Sequence, residues 1–510
     1  MGYKTISLKM PTGYDDGRLR KKIEHLFHID DFNFSIVNKS LDARNKSNIN
    51  WELRVMVSSD AFKTEKPFVP ELQISNKKRG KKVTVIGSGP AGFFSAFVLQ
   101  KAGFNVTLIE RGTDVKKRTI DIDNFEKTGD FTSNSNYSFG EGGAGTFSDG
   151  KLTSRSKKIS LEKRFILQSY VDAGAPEEIL YMTHPHVGSD NLKIIVRNLR
   201  RQFTDLGGTV LFETTMTDFN SVDGNVKSVI TDKGTHDSEY LLIAPGHSSY
   251  DTYRLMMNNG VQFRNKNFAI GSRMEHYQEV INVAQWGKKS LPGVKAAEYR
   301  LTSKGQNREQ VYSFCMCPGG IIVPAGATPE SNIVNGMSNY QRENEFANAA
   351  CVATVDINRL LNKEVSPMET LDWMEKLENS FYKFSGGYKA PFCSIKDFIS
   401  GKTSSSFVDT SYPLGIIQAP LWELLPNKVS SAMKSGLKDF NRKMRGFDTG
   451  TIMGLESKTS APIQVIREAD GSCAGFKNLF VIGEGSGYAG GIISSAADGV
   501  KVAMNIIENS

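Results

Sequence analysis

The spacing of apolar positions changes character several times along the chain. Near the N-terminus a strand is expected over 3–10, followed by a helix capped at Asp15 or Asp16 that carries Leu19, Ile23, Leu26 and Phe27 on one face. Strand-like stretches at 32–37 and 51–57 complete a small unit, and 63–81, with two prolines and a basic cluster, reads as a linker. Two compact apolar runs, 82–86 and 105–109, then bracket a helical stretch over 90–103. A helix at about 189–206 places Leu192, Ile195, Leu199 and Phe203 on a shared face and stops at Gly207-Gly208. The runs 209–212, 226–230 and 240–243 read as successive strands of a β-meander, the last entering the turn Ala244-Pro245-Gly246-His247. From about 250 to 470 the pattern mixes strands with longer helices. One of these opens on the capping box Ser366-Pro367-Met368-Glu369 and buries Leu371, Met374, Leu377 and Phe381. A final apolar run at 479–482 precedes a glycine-rich turn and a helix over 492–507.

These elements predict an α/β chain. A small N-terminal α/β domain occupies 1–62 and the linker 63–81. A Rossmann-like domain follows in two pieces, 82–250 and 471–510, with an inserted α+β substrate or cap domain at 251–470. Composition supports a globular protein with a sizeable core: of 510 residues, 39% are hydrophobic and 23% charged. No apolar run approaches the ~18 residues that a membrane span needs. The opening MGYKTISLKM lacks the apolar core of a signal peptide, and five cysteines without framework spacing fit a reducing compartment, so a cytoplasmic location is expected. The net charge of +8 is modest for this length. The dense basic run Lys77-Lys78-Arg79-Gly80-Lys81-Lys82 has no interleaved aromatics, which favours a solvated linker over nucleic-acid binding.

The stretch after the first apolar run carries chemistry. Gly87-Ser88-Gly89-Pro90-Ala91-Gly92 follows the strand directly, and Glu110-Arg111 closes the next one. In such a βαβ unit Gly87 permits the tight turn, Gly89 lets backbone approach a pyrophosphate, and Gly92 lets helix and sheet pack closely. The helix directs its positive N-terminal end at the phosphates. Glu110 is placed to accept hydrogen bonds from ribose hydroxyls and would repel a 2′-phosphate, which disfavours NADP here.

Four longer motifs give the chain a family likeness. They are FGEGGAGTFSDGKLTSR at 139–155, HPHVGSD at 184–190, FCMCPGG at 314–320 and GEGSGYAGGIISSAADG at 483–499. With them the chain resembles the family of predicted FAD-dependent dehydrogenases of bacteria and plastids over most of its length, the N-terminal Leu41-Asp42-Ala43-Arg44 included. The match is looser between 250 and 460. The resemblance implies FAD, a cofactor domain of the glutathione-reductase type, an inserted second domain and an oxidoreductase activity. In flavoproteins of that type a strand ending in Gly-Asp or Gly-Glu, here Gly483-Glu484, holds the ribityl chain and phosphate. The next helix points its positive end at the flavin pyrimidine. The residues expected around the cofactor are therefore Gly87, Gly89, Pro90, Ala91, Gly92, Glu110 and Arg111 from the first unit. Gly142, Gly143, Ala144, Gly145, Thr146, Met216, Ala244 and Gly246 follow, with Gly483, Glu484, Gly491, Ile492 and Ile493 from the last. For 139–155 a plain glycine-rich surface loop is the alternative.

A flavin brings its own redox chemistry, so the protein need only place a substrate and move protons. Cys315 and Cys317 are the first candidates. In an extended strand their sulfurs share a face with α-carbons about 6.6 Å apart, near the limit for a disulfide, so a redox pair needs a turn there. Buried structural thiols and a metal site are the alternatives. His184 and His186 are candidates for proton transfer, or for holding a loop around Pro185. His247 belongs near the cofactor, while His276 is expected to begin a helix. Lys151 and Arg155 suit an anionic substrate or reduced flavin, or are surface charge. No metal set stands out. The leading expectation is an FAD-dependent oxidoreductase passing hydride between a small organic substrate and FAD. Its electron partner is open: transient NAD(P)H, a quinone, oxygen or a protein carrier. The alternatives are a flavin-linked thiol–disulfide oxidoreductase using Cys315 and Cys317, and a flavin-bound RNA-binding or scaffolding protein.

Overall fold

The computed structural model describes residues 1–154, 156, 158–304, 309–404 and 408–510. Its first unit sandwiches the strand Asn50–Ser59 between Gly2–Pro11 and Asn33–Asp42, antiparallel to both, with the helix Asp16–Phe27 on one face. Asp15 caps that helix by accepting from the Arg18 N–H, and Leu19 and Ile23 are buried as expected. Leu26 is not: it is 51% exposed, because Phe27, four residues after Ile23, takes the inner place against Phe62. No helix among the described residues is long and apolar enough to cross a membrane.

A five-stranded parallel sheet forms the second unit, in the order Leu479–Val481, Tyr240–Ile243, Lys82–Ile86, Asn105–Ile109, Thr209–Leu211. This corrects the expected meander. Thr209–Leu211 and Tyr240–Ile243 belong to the parallel sheet, and the three-stranded antiparallel sheet between them is Met216–Val222, Asn225–Thr231 and Gly234–Asp237. Runs of three or four apolar residues look alike in either setting, and the polar MTDFNSV gives little strand signal, which is why the pattern misled. The helix Pro90–Lys101 is apolar on every side and buried without a break from Ala91 to Leu99. Sheet lies on one side of it and the helix Ile492–Glu508 on the other.

A seven-stranded sheet forms the third unit, in the order Thr302–Lys304, Gln310–Cys317, Phe346–Val355, Phe268–Tyr277, Thr451–Glu456, Ala390–Ser394, Ile416–Gln418. All its neighbours are antiparallel except the last pair. The helix Asn427–Lys443 lies across it, and Pro367–Ser385, with its capping box formed, packs beside it. His276 sits near the end of Phe268–Tyr277, not at a helix start; the helix begins at Gln278.

The two large sheets share side chains by alternation. Leu241, Ile243, Leu479 and Val481 join the core of the third unit, whereas Leu242 and Phe480 join the core around Pro90–Lys101. Successive residues of a strand point to opposite faces, so these two strands serve both cores at once. The linker is likewise not merely solvated. Arg79 donates to the carbonyls of Ala102 and Ile507, at the C-terminal ends of Pro90–Lys101 and Ile492–Glu508, where a cation is favoured by the helix dipole.

Candidate functional site

At the C-terminal ends of the parallel strands lies a cavity with about 1510 Å³ of empty space, the place where open α/β sheets bind ligands. Gly87 makes its tight turn with φ +93°, and a Cβ there would stand 2.3 Å from the Ala244 carbonyl oxygen. Gly92 allows the expected close packing, since a Cβ would meet the Gly87 oxygen at 1.9 Å. Two helices begin at the cavity, each with a glycine N-cap that makes no side-chain capping bond: Gly89 before Pro90–Lys101 and Gly491 before Ile492–Glu508. Two positive helix ends therefore face one space, a setting that suits an anionic cofactor with a pyrophosphate and a second site of developing negative charge.

Most residues expected around a cofactor do line this space. Gly87, Gly89, Pro90, Ala91, Glu110, Arg111, Gly143, Ala144, Gly145, Met216, Ala244, Gly246, Glu484, Gly491 and Ile492 are on its walls. Gly92, Gly142, Thr146, Gly483 and Ile493 stand behind them. Thr146 turns its hydroxyl to the Glu141 carbonyl, Gly483 gives its N–H to Asp498, and Ile493 is core. Glu110 is more committed than its position at the end of a strand implies. One carboxylate oxygen accepts from the Ser88 N–H at 2.8 Å and hydroxyl at 2.7 Å, the other from the N–H groups of Gly112 and Gly140 at 2.9 and 3.2 Å. Its ~4 acceptor sites are thus taken by the loops it ties together, and any ribose bond must exchange with one of them. Arg111 forms a double bond pair with Asp251 and stacks on Phe139.

Glu484 is half-buried on the cavity wall. Burial pushes its pKa up to about 7, against the Gly491 N–H and Lys266, which favour the carboxylate. His247 also lines the cavity as expected, bonded to the Ser248 hydroxyl, with its pKa driven down to about 3 by burial and then by Lys458.

The glycine-rich loop is held by a residue that the sequence pattern did not single out. Arg118 is completely buried and donates to the carbonyls of Asn136, Tyr137, Gly140, Glu141 and Gly143 at 2.9 to 3.2 Å. Burial lowers its pKa to about 10, with Glu110 and Glu141 pulling the other way, so it remains charged at neutral pH. Further along the loop, Asp149 is buried between Arg342 at 2.6 Å and Lys151 at 2.8 Å. Burial opposes its charge, yet these two cations hold the carboxyl well below the ordinary range. Arg342 comes from the third unit, and Lys151 also donates to the Met316 carbonyl, so the loop is pinned to the second large sheet.

That sheet contributes Phe314 and Cys315 to the cavity, and the segments beside it contribute Asn335, Lys458 and Thr459. Cys315 departs from the expected extended geometry. Its φ is +44°, and the pairing with Phe346–Val355 slips between Phe314 and Cys317. Both thiols are free, and the Cys317 thiol, fully buried and off the cavity wall, donates to the Cys315 carbonyl at 3.3 Å. The Cys317 thiol lowers the Cys315 pKa; burial opposes this, and Lys151 and Arg273 reinforce it. The fully buried Arg273 donates to the Cys315 carbonyl at 2.6 Å and pairs with Glu456 at 3.0 Å. With one sulfur on the wall and the other inside, the arrangement presents a single thiol and does not support the thiol–disulfide alternative. Lys458, also missed, is buried on the cavity wall between the Tyr250 hydroxyl at 2.6 Å and Glu378 at 2.8 Å.

The histidine pair splits. His184 is exposed, 3.3 Å from Glu298, and lines a second cleft rather than the cavity. His186 lines neither; it bonds the Tyr340 carbonyl at 3.1 Å and packs against that ring, and burial drives its pKa down to about 4. His276 bonds the Phe447 carbonyl away from the cavity. Arg155 lies outside the described residues. Among those residues no group of three or more His, Cys, Asp or Glu could hold a metal.

The second cleft, with about 3380 Å³ of empty space open to solvent, meets the cavity along a seam. Lys151, Phe314, Cys315, Thr459 and Gly491 line both.

An α/β fold with two helix ends and a glycine-rich loop around one large cavity defines a dinucleotide-cofactor protein, and the comparisons say which cofactor. Residues 81–119 match the family described as FAD binding domain, and 267–459 match FAD-dependent protein, C-terminal domain-like. The second match falls in the stretch where the sequence likeness looked looser. An uncharacterized protein of Clostridium beijerinckii is 39% identical over 493 residues, 93% of this chain and 92% of the relative. The chain belongs to this family of FAD-dependent proteins, and FAD is its cofactor. Solved structures are far more distant. NikD, described as an unusual amino acid oxidase, is 12% identical over 84% of this chain and 95% of its own, with TM-score 0.39. Glycine oxidase from Bacillus cereus gives 12%, the same coverages and 0.31. CtdE in complex with FAD gives 11%, 84% of each chain and 0.32.

Proposed function

We propose that the protein is an FAD-dependent oxidoreductase whose small organic substrate enters by the second cleft and meets the flavin at the seam. The observation that carries this reading is the set of five residues common to both cavities, which joins the cofactor space at the strand ends to the second cleft. The domain arrangement we infer is of the glutathione-reductase type, with the FAD domain at 82–250 and 471–510 and the cap at 251–470. The pairing of Leu479–Val481 with Tyr240–Ile243 supports it.

The residues would divide the work as follows. The helices that begin after Gly89 and Gly491 turn their positive ends to phosphate and to reduced-flavin charge. Bound FAD would supply the two-electron chemistry for a substrate that loses hydride. Cys315, with its lowered pKa, takes the accompanying proton on sulfur and releases it through the cleft to solvent. Lys151, fixed by Asp149, and Lys458, fixed by Glu378, place positive charge where negative charge develops. The electron acceptor that reoxidises the flavin is a quinone, oxygen, NAD(P)⁺ or a protein carrier.

Anaerobic reduction of the bound flavin by a panel of NADH, NADPH and small metabolites tests the reading, read against Phe314→Trp, which narrows the seam. The variant should reduce at least ~10-fold more slowly with substrate while photoreduction, which needs no passage, is unchanged. Equal substrate rates in both proteins would remove the seam as the reaction point.

A further inference from the structure

The second cleft carries an unusual share of the chain's charge. Its walls hold Lys151, Arg300, Lys304, Arg442, Lys443 and Lys501 against Asp439 and Asp498, six cations facing two carboxylates in a chain whose whole surplus is eight. Neither carboxylate is free to balance the rest. Asp498 is held by Arg467 through both oxygens and by the Gly483 N–H, and Asp439 by Arg442 and Lys443. The side chains of Arg300 and Lys304 are exposed and have no ion-pair or hydrogen-bond partner among the described residues. Lys443 and Lys501 are anchored on the carbonyls of Thr302 and Lys158, which fixes their ammonium groups near the cleft.

These cations stand on separate supports. Arg300 precedes and Lys304 ends the edge strand Thr302–Lys304, Arg442 and Lys443 end the helix Asn427–Lys443, Lys501 projects from Ile492–Glu508, and Lys151 comes from the glycine-rich loop. A lone carboxylate is satisfied by one guanidinium; cations dispersed over four supports match a ligand charged at several points along its length. Between them Ser435 and the hydrogen-bonded pair Ser154 and Ser494 add hydroxyls suited to phosphoryl oxygens.

We propose that the second cleft binds a phosphate-bearing, multiply charged organic molecule and delivers its uncharged reacting end to the seam at Cys315 and Phe314. Delivery of a reacting end rests on the oxidoreductase reading; the binding itself does not. Two sources share the chemistry, a phosphorylated substrate and a nicotinamide dinucleotide donor, and the experiment has an arm for each.

Inorganic tripolyphosphate is the probe, titrated calorimetrically into the FAD-loaded protein at low and high salt. Binding that weakens with salt is expected. The double variant Arg300→Ser/Lys304→Ser should bind roughly tenfold more weakly with FAD content and flavin spectrum unchanged. Lys77→Ser/Lys78→Ser, in the exposed basic linker, should bind as the native protein does. An unchanged affinity in the cleft variant, or a loss confined to the linker variant, overturns the proposal. In the kinetic arms, competition by tripolyphosphate against NADPH assigns the cleft to the dinucleotide, and competition against a phosphorylated metabolite assigns it to substrate. No competition in either arm overturns it. Failure of the oxidoreductase reading looks different: no reductant reduces the flavin, while the calorimetric result stands on its own.

Discussion

Two fully buried arginines flank the cofactor cavity and are satisfied in opposite ways. Arg118 gives its hydrogen bonds only to peptide carbonyls, five of them in eight residues of one loop, and its pKa falls. Arg273 also has burial against it, but Glu456, then the neighbouring thiols, hold its pKa above the ordinary arginine value. The difference shows what each charge is for. Carbonyl dipoles around a cation fold a glycine-rich backbone that has little other reason to keep one shape. A carboxylate partner instead makes a self-sufficient pair, leaving Arg273 a spare N–H to orient Cys315.

Replacing each arginine by methionine gives the largest expected effects and could break the comparison. Arg118→Met leaves five carbonyls without their donor and should cost about 3–5 kcal/mol together with most of the bound FAD, measured as flavin per protein and by denaturant midpoint. Arg273→Met should keep FAD, because Glu456, which burial already pushes up to about 7, can take a proton when its partner is gone. Equal flavin loss in both would show that the two arginines do the same work.

Next in size, Cys315→Ser should slow substrate reduction of the flavin ~10²-fold or more with FAD content retained. Alkylation by iodoacetamide sharpens the point about Arg273. In the native protein the reactive thiolate should persist below the pH at which an ordinary thiol is protonated and be lost only as pH falls through the depressed pKa. In Arg273→Met that transition should move upward.

Glu484 offers a smaller, pH-dependent effect on the same wall. Its folded pKa of about 7 lies above the unfolded carboxyl value, so the folded state takes up a proton. The stabilisation this provides is complete below the unfolded value and is lost as pH rises through about 7. In protein stripped of FAD, Glu484→Gln should therefore gain on the native protein between pH 5 and 8, by at most ~3 kcal/mol. Parallel stability curves for the two proteins would refute the assignment. The smallest effect sets the scale for the rest: Ser366→Ala, far from either arginine, loses one reciprocal cap and should cost ~1 kcal/mol with no change in flavin.

What the sequence could tell followed from local physics. The turn at Gly87 to Gly92, the helix behind it, the strand ending at Glu110 and the capping box at Ser366 are set by neighbours within a few residues, and each formed as expected. Arg118 was invisible because it follows Lys116 and Lys117 in a polar stretch and looks like one more solvated charge; only the fold brings five carbonyls to it. The pinning of Asp149 by Arg342 spans 193 residues, and the seam joins segments hundreds apart, so no window along the chain contains them. Lys458 left a faint trace, a charge two residues beyond a fully buried strand that itself ends in Glu456.

The strand Leu479–Val481 has a consequence for how the protein is made. It supplies side chains to two cores and leads directly into Ile482 on the cavity wall, yet it leaves the ribosome after the whole seven-stranded sheet. During synthesis the Tyr240–Ile243 edge must therefore wait unpaired while more than two hundred residues are added, a long exposure for a parallel strand. FAD that binds only when this strand arrives would report that the nascent chain has passed its slowest step.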